Sequence, residues 1–298
     1  MKKRARPPRV LVVVKQTPYR EYTRLRDPHV LKLLAAHDPA VRNLERADAD
    51  HRATVLELDR ALQAVGAVVT QGEDPRAARH GRFDLVVTVG GDGTLLRTSH
   101  HVGHKVPVLG VNSAPAYSVG FFCGARKGGV ARAIRGALSG AMRRTVLARM
   151  SVARNGAILE RRVLNEVLFC HANPAATSRY LLRLEDGCAV EEDQRSSGVW
   201  VGPAAGSTAA QRSAGGRVLP LRSRRLQFVV REPYRPLGAP LLLPKGLVPE
   251  DGALVIRNKM QNAQVFVDGH QRAHTCALGD VLELRVSDDP LIVLGVHR

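Results

Sequence analysis

"LVVTVGGDGTLLRTSH", Leu85 to His100, is the stretch on which the fold of this sequence turns. A run of apolar and β-branched residues leads into Gly90, Gly91, Asp92 and Gly93, and a helix-like segment follows. Such a run, without polar alternation, reads as a strand buried on both faces of a parallel sheet. The glycine turn then places the start of a helix at the carboxyl end of that strand.

Outward from this unit the same texture repeats. Val10 to Val14 is a second β-branched run, "AVVT" (67–70) a third and Val106 to Val111 a fourth. A loop rich in Pro and Arg follows the first. Val55, Leu58, Leu62 and Val65 then fall at i, i+3, i+7 and i+10, one face of a helix, and Gly66 stands where a terminating glycine belongs. "GGVARAIRGALSG" (128–140) carries a further helical pattern. Strand and helix alternate to about Gly140, which predicts an α/β domain with a mostly parallel sheet. Beyond it the chain changes. Two strand-like runs flank Asn155-Gly156, another pair flanks Asp186-Gly187, and short strands bounded by Gly, Pro and Asn continue to the end. The second half therefore reads as all-β and antiparallel. The shift divides the chain into residues 1–143 and 144–298, with the last strand free to return to the first domain.

With 298 residues and 44% hydrophobic content the chain can bury a sizeable core, and with 4% aromatics that core must be mainly Val, Leu and Ala. No apolar run approaches the ~20 residues of a membrane span. The apolar stretch behind the basic N-terminus is too short for a secretory signal, so a soluble, cytoplasmic protein is expected. The net charge of +18 raises nucleic acid as a partner. Only 8 of the 45 basic residues are Lys, however, the Arg are spread along the whole chain, and no basic segment is interleaved with aromatics. A small polyphosphate ligand suits that field better, and neither nucleic acid nor membrane is the expected partner. Cys123, Cys170, Cys188 and Cys276 are scattered without a C-x-x-C pair and read as reduced thiols, not as a disulfide framework or a zinc site.

In an α/β sheet ligands bind beyond the carboxyl ends of the strands. Gly90, Gly91 and Gly93 permit positive φ and let backbone amides touch phosphate oxygens, while Thr94 can cap the next helix. Asp92 would repel phosphates, unless it shares a metal with them or accepts a proton from an attacking hydroxyl. From the residues alone two readings stand: a phosphate-binding turn with a working carboxylate, or a plain strand-to-helix turn. The spacing matches neither a dinucleotide fingerprint nor a Walker loop.

"GGDGT" after a buried strand resembles the signature shared by NAD kinases, diacylglycerol and sphingosine kinases and, in a variant, phosphofructokinases. Three further stretches single out the NAD kinase family: "VNSAPAYSVGFFC" (111–123), "LNEVLF" (164–169) and "GPAAGSTAAQRSAGG" (202–216), in the family's order. The resemblance implies that family's fold, an α/β domain followed by an all-β domain. It also implies transfer of the γ-phosphoryl of ATP, with Mg²⁺ or another divalent cation, to the 2′-hydroxyl of the adenosine ribose of NAD, giving NADP. Asp92 would orient and deprotonate that hydroxyl. Gly90, Gly91, Gly93 and Thr94 would hold the donor phosphates, with Gly93 also near NAD. Asn165 and Glu166, on a strand of the β domain, would grip ribose hydroxyls. Gly206, Ser207, Thr208 and Ala209 would line the adenine pocket, with Ser213 nearby and Phe121 against the adenine. A homodimer or homotetramer is a further implication.

From the residues alone, Phe121 is equally a core phenylalanine, and Asn165-Glu166 is a polar pair that a backbone amide could satisfy as well as a ligand could. The sequence departs from the family at Ser197-Gly198, where Asp-Gly is usual, at Ala210, where an aromatic is usual, and at Ala205, which replaces a hydroxyl residue. "RSSGVW" and "NSAPAYS" lean toward the family's mitochondrial-type branch. His100, His101 and His104 invite a metal, with His100 and His104 on one helix face. Without an accompanying carboxylate pattern they read as a solvated or ligand-edge face, and no metal site is assigned. Asp268-Gly269-His270 resembles an Asp-Gly site segment that NAD kinases carry in the β domain and equally suits a hairpin turn, the reading preferred here; Ser223 to Arg225 could meet a phosphate but reads as a solvated edge. The alternatives carried forward are a lipid kinase on the same GGDGT turn, and a non-catalytic protein that binds nucleotides or nucleic acid.

Overall fold

A computed structural model describes residues 6–187, 189–234 and 240–296. The chain divides into two compact units, one running through Thr145 and resuming at Leu291, the other spanning Val146–Pro290.

In chain order the first unit begins with β1 (Arg9–Val14), α1 (Pro18–Leu25), α2 (Pro28–Ala35), α3 (Leu44–Ala64), β2 (Val68–Gly72) and α4 (Ala77–His80). It continues with β3 (Leu85–Gly90), α5 (Asp92–Ser99), β4 (Val108–Asn112), β5 (Cys123–Arg126), α6 (Val130–Ser139) and β6 (Arg144–Leu147). The segment expected to be a Pro- and Arg-rich loop therefore holds two helices. Thr17 and Asp27 cap them through their side chains and a proline opens each, yet neither buries a residue, so no apolar stripe marks them. β1 and β3 are buried as their sequences require, whereas all of β2 is exposed, because it is an edge strand.

β1 pairs in parallel with β2 and β3, and β3 with β4, which pairs in parallel with β5. Alternate residues face opposite sides of such a sheet. Val10, Val12, Val87, Val89, Leu109 and Val111 share one cluster with Leu58 and Leu62 of α3 and Val130 and Ile134 of α6. A Cβ at Gly110 would lie 2.9 Å from the Phe122 carbonyl oxygen and 3.0 Å from Cys123 Cα, so a glycine there lets the backbone entering β5 lie close to the strand, with Leu95 of α5 also within 3.1 Å. The registers Val14 with Val89 and Gly90 with Asn112 bring the carboxyl ends of β1, β3 and β4 level. The loops that carry the GGDGT and "NSAPAYS" stretches leave the sheet at this edge.

The second unit contains β7 (Met150–Arg154), β8 (Ala157–Val163), β9 (Val167–His171), β10 (Ser178–Glu185), β11 (Val190–Ser196) and β12 (Val199–Pro203). A 3₁₀ turn (Ala204–Thr208) and the one-turn α7 (Ala210–Ser213) follow, then β13 (Leu226–Val230), β14 (Lys245–Val248), β15 (Ala253–Asn258), β16 (Ala263–Val267), β17 (Ala273–Cys276) and β18 (Val281–Val286). Asn155 and Gly156 both adopt positive φ, 52° and 80°, the two-residue turn that joins β7 to β8. Two six-stranded antiparallel sheets result, β11-β10-β15-β18-β7-β8 and β14-β13-β12-β9-β16-β17. They share one core, where Phe169 of one sheet meets Tyr180 of the other edge to face at 5.4 Å. β19 (Leu291–Leu294) leaves this unit and pairs in parallel with β4. The expected architecture, an α/β unit with a mostly parallel sheet and a unit of antiparallel strands, is what the chain adopts.

Candidate active site

β3 ends at Gly90, Gly91 is extended (φ −111°, ψ −164°), and Asp92 is the first residue of α5. None of Gly90, Gly91 and Gly93 has positive φ, so backbone conformation is not what requires glycine here. The requirement at two of them is steric. A Cβ on Gly90 would run into Thr94 Oγ1 and stand 3.0 Å from Lys15 Cβ, and one on Gly91 would stand 2.5 Å from Ser118 Oγ. Around Gly93 there is open space. The cap of α5 is Gly91 and no side chain caps it, so Thr94 lies inside the first turn and is not the cap expected from the sequence.

Asp92 is partly buried and held from both sides. Its Oδ2 accepts the amide of Phe121 at 2.8 Å and its Oδ1 the amide of Phe122 at 2.7 Å. Each oxygen keeps lone pairs for further bonds, so the carboxylate is oriented without being saturated. The two rings divide the earlier ambiguity. Phe122 is 3% exposed and belongs to the core, and Phe121 is only partly buried, stacked edge to face on Phe122 at 5.5 Å.

Residues not singled out from the sequence crowd this edge. Lys15 follows β1, exposed, with its stem beside Gly90. Below it, Thr17 Oγ1 donates to buried Asp48 at 2.5 Å, and Arg20 and Arg52 pair with the same carboxylate at 3.3 and 3.0 Å. His51 Nδ1 meets Ser113 Oγ at 2.8 Å, and burial lowers its pKa to about 4, so it is neutral at pH 7. The only sequence signal for this network is Asp48 and His51 at i, i+3, one helix face. The histidine trio does not form a shared helix face. α5 stops at Ser99; His100 and His101 are buried, not solvated, and Arg79 donates to His101 at 2.8 Å. Among the described residues Cys123, Cys170 and Cys276 are free thiols, and burial with the nearby Asp92 charge pushes Cys123 up to about 12. Cys188 lies outside the described residues.

In the second unit Asn165 and Glu166 occupy the link between β8 and β9, not a strand, because a third group claims their backbone. The carboxylate of Asp268, on the β16–β17 turn, accepts the amides of Leu164, Asn165 and Glu166 at 2.9, 2.7 and 3.0 Å. The Asp268 amide donates back to Glu166 O at 2.9 Å. Asp268-Gly269 is thus a hairpin turn, as expected, and also the clamp of this link. Glu166 is 7% exposed, and its Oε2 has no hydrogen-bond partner among the described residues. Burial, then the Asp268 charge, raise its pKa to about 7 against the opposing pull of the Asn165 amide.

The 3₁₀ turn packs on the same link. A Cβ at Gly206 would overlap the Asn165 carbonyl, and one at Gly202 would overlap it too and lie 2.6 Å from Gln211 Nε2. Ser207 is fully buried; its hydroxyl donates to Ala204 O at 2.7 Å and accepts from Leu219 N at 2.9 Å. Ser207 therefore shapes the turn, while Thr208, Ala209 and Ala210 are partly buried and Ser213 is exposed. Gln211, fully buried, accepts from Gln227 at 3.0 Å, and its Nε2 has no partner among the described residues. Ala205 is buried and Ser197 partly buried. Arg224 of the Ser223 to Arg225 edge is exposed and pairs with Glu250.

Residues 14–135 match the ATP-NAD kinase N-terminal domain family. A protein of Oryza sativa subsp. japonica named "Probable NADH kinase" is 37% identical over 227 residues, 70% of each chain. The chain belongs to the NAD kinase family. An NADH kinase of Arabidopsis thaliana is 36% identical over 237 residues, 70% of this chain and 71% of its own. Both plant relatives accord with the branch that Ser197-Gly198 and the Asn112–Ser118 stretch resemble. The structure of an NAD kinase from Archaeoglobus fulgidus in complex with ATP matches 97% of this chain and 94% of its own, with a TM-score of 0.70 at 22% identity, which confirms the family's fold. Membership makes the chain an enzyme, a kinase of NAD with ATP as donor.

Proposed function

We propose that this chain transfers the γ-phosphoryl of ATP to the 2′-hydroxyl of the adenosine ribose of NAD, releasing ADP and NADP. One observation carries the assignment of roles: a carboxylate at the carboxyl edge of a parallel sheet, aimed by two amides, at the first residue of a helix. Asp92 accepts the 2′-hydroxyl proton as the ribose oxygen bonds to the γ-phosphorus and the bond from that phosphorus to the bridging oxygen of ADP breaks. The first-turn amides of α5 around Gly91, Gly93 and Thr94 favour the anionic donor, and Lys15 adds a cation beside Gly90. Asn165 and Glu166 hold ribose hydroxyls, and Phe121, Thr208 and Ala209 contact the adenine, with Ser213 at its margin.

A divalent cation enters with the triphosphate as Mg²⁺-ATP and neutralises its phosphate charge. The plant relatives support NADH as a second acceptor. No helix among the described residues is long and apolar enough to cross a membrane. A homodimer or homotetramer is the assembly expected for this family, and sedimentation at micromolar concentration tests it. The function is tested by incubating the protein with ATP and Mg²⁺ against NAD, NADH and a diacylglycerol. Phosphorylation of a pyridine nucleotide alone is expected, and product on the lipid alone would overturn the reading.

A further inference from the structure

The β16–β17 turn carries a charged side chain that the proposed reaction does not use. Asp268 sits at φ 48°, an uncommon conformation for a residue with a side chain, followed by Gly269 at φ 107°. The turn points its carboxylate into three consecutive amides more than a hundred residues away in sequence. A plain hairpin needs none of these bonds. Their effect falls on one place, the Leu164–Glu166 link, whose side chains are the polar pair assigned to the ribose. On the far side of that link the Asn165 carbonyl rests against Gly202 and Gly206, so the backbone is fixed by Asp268 on one side and by close packing on the other.

We propose that Asp268 is a positioning residue for the acceptor ribose: its carboxylate gathers the three amides of the link and so sets the direction in which Asn165 and Glu166 are presented. The inference rests on the reading that Glu166 and Asn165 hold NAD. Glu166 supplies a readout that a purely structural role would not move. Beyond burial, it is the Asp268 charge that holds Glu166 up, against the opposing pull of the Asn165 amide. From β12, the 3₁₀ turn and α7 come Gly202, Gly206 and Gln211, which are uncharged. Arg149, on the segment before β7, feels Asp268 but is paired with Asp289 at 2.8 Å. Removing the Asp268 charge should therefore let Glu166 ionise at lower pH, and NAD affinity, which needs the carboxylate as acceptor, should follow.

The test is steady-state kinetics of the full chain from pH 5.5 to 9, with thermal melts, for wild type, Asp268→Asn, Asp268→Glu and Glu166→Gln. Asp268→Asn turns an amide NH₂ toward a backbone N–H. It is expected to melt cooperatively, to raise KM for NAD at least tenfold with kcat within threefold and KM for ATP within twofold, and to move the acid limb of NAD affinity down by at least half a pH unit. Asp268→Glu keeps the charge but displaces the carboxylate, and should raise KM with the limb unmoved. A KM for NAD and a limb like wild type's in Asp268→Asn, while Glu166→Gln weakens NAD, would overturn the inference and leave the reading of Glu166 standing. An unchanged KM in Glu166→Gln would sink that reading itself. Loss of the cooperative melt in both Asp268 variants would make the residue a scaffold element and overturn its positioning role.

Discussion

Glu166→Gln should stabilise the ligand-free protein at high pH while weakening its hold on NAD. The folded chain raises Glu166 from an ordinary value of 4.5 to about 7, because burial penalises the carboxylate and Asp268 repels it. The native state therefore holds the proton that the unfolded chain releases. The contribution of this group to stability is fully present below pH 4.5 and is lost as pH rises through about 7. At about 1.36 kcal/mol per unit the loss is on the order of 3 kcal/mol. A neutral glutamine avoids it. Melting curves of wild type and Glu166→Gln without nucleotide should nearly coincide at pH 5 and diverge by pH 8.5, with the variant higher by ~6–12 °C if each kcal/mol moves a domain of this size by ~2–4 °C. Saturating NAD should then raise the wild-type Tm more than the variant's. A difference that does not change with pH, or a variant less stable throughout, would refute the argument that Glu166 is a buried carboxylate with one oxygen left open for a ligand.

Gly206→Ala should cost ~1–3 kcal/mol and weaken NAD binding together, because its Cβ would overlap the Asn165 carbonyl; equilibrium unfolding and NAD titration check both effects. Phe121→Ala and Phe122→Ala should separate function from packing. The former should raise KM for NAD severalfold with little change in Tm, and the latter, at a core position 3% exposed, should destabilise by ~3–5 kcal/mol, as measured by denaturant unfolding.

Much of this architecture is visible in the residues because it is local. β1 and β3 are unbroken apolar runs, the α3 stripe places Leu58 and Leu62 in the core, and Asn155-Gly156 is a turn that two positive φ angles demand. α1 and α2 escape a periodicity argument because they bury nothing, although Thr17-Pro18 and Asp27-Pro28 were there to be read as caps followed by helix-opening prolines. Around the candidate site, the glycines of the GGDGT turn announce themselves by type, but their reason is steric crowding by Thr94 and Ser118, which only the fold reveals. His100 and His104 read as one solvated or ligand-edge helix face, but α5 ends at Ser99, short of both, and His100 and His101 are buried. Asp268 looks like half of an Asp-Gly turn. Its three bonds to residues 164–166 are long-range, and no local pattern carries them.

The measurement closest to the centre of this account is the turnover of Asp92→Asn beside wild type, with Mg²⁺-ATP and NAD. The asparagine can still accept one of the two amides that hold Asp92, but it cannot take the ribose proton. A fall in kcat of roughly 10²–10⁴-fold is expected, with KM for NAD within threefold and Tm within a few degrees. A variant that makes NADP at more than a tenth of the wild-type rate would contradict the claim that this amide-aimed carboxylate is the base.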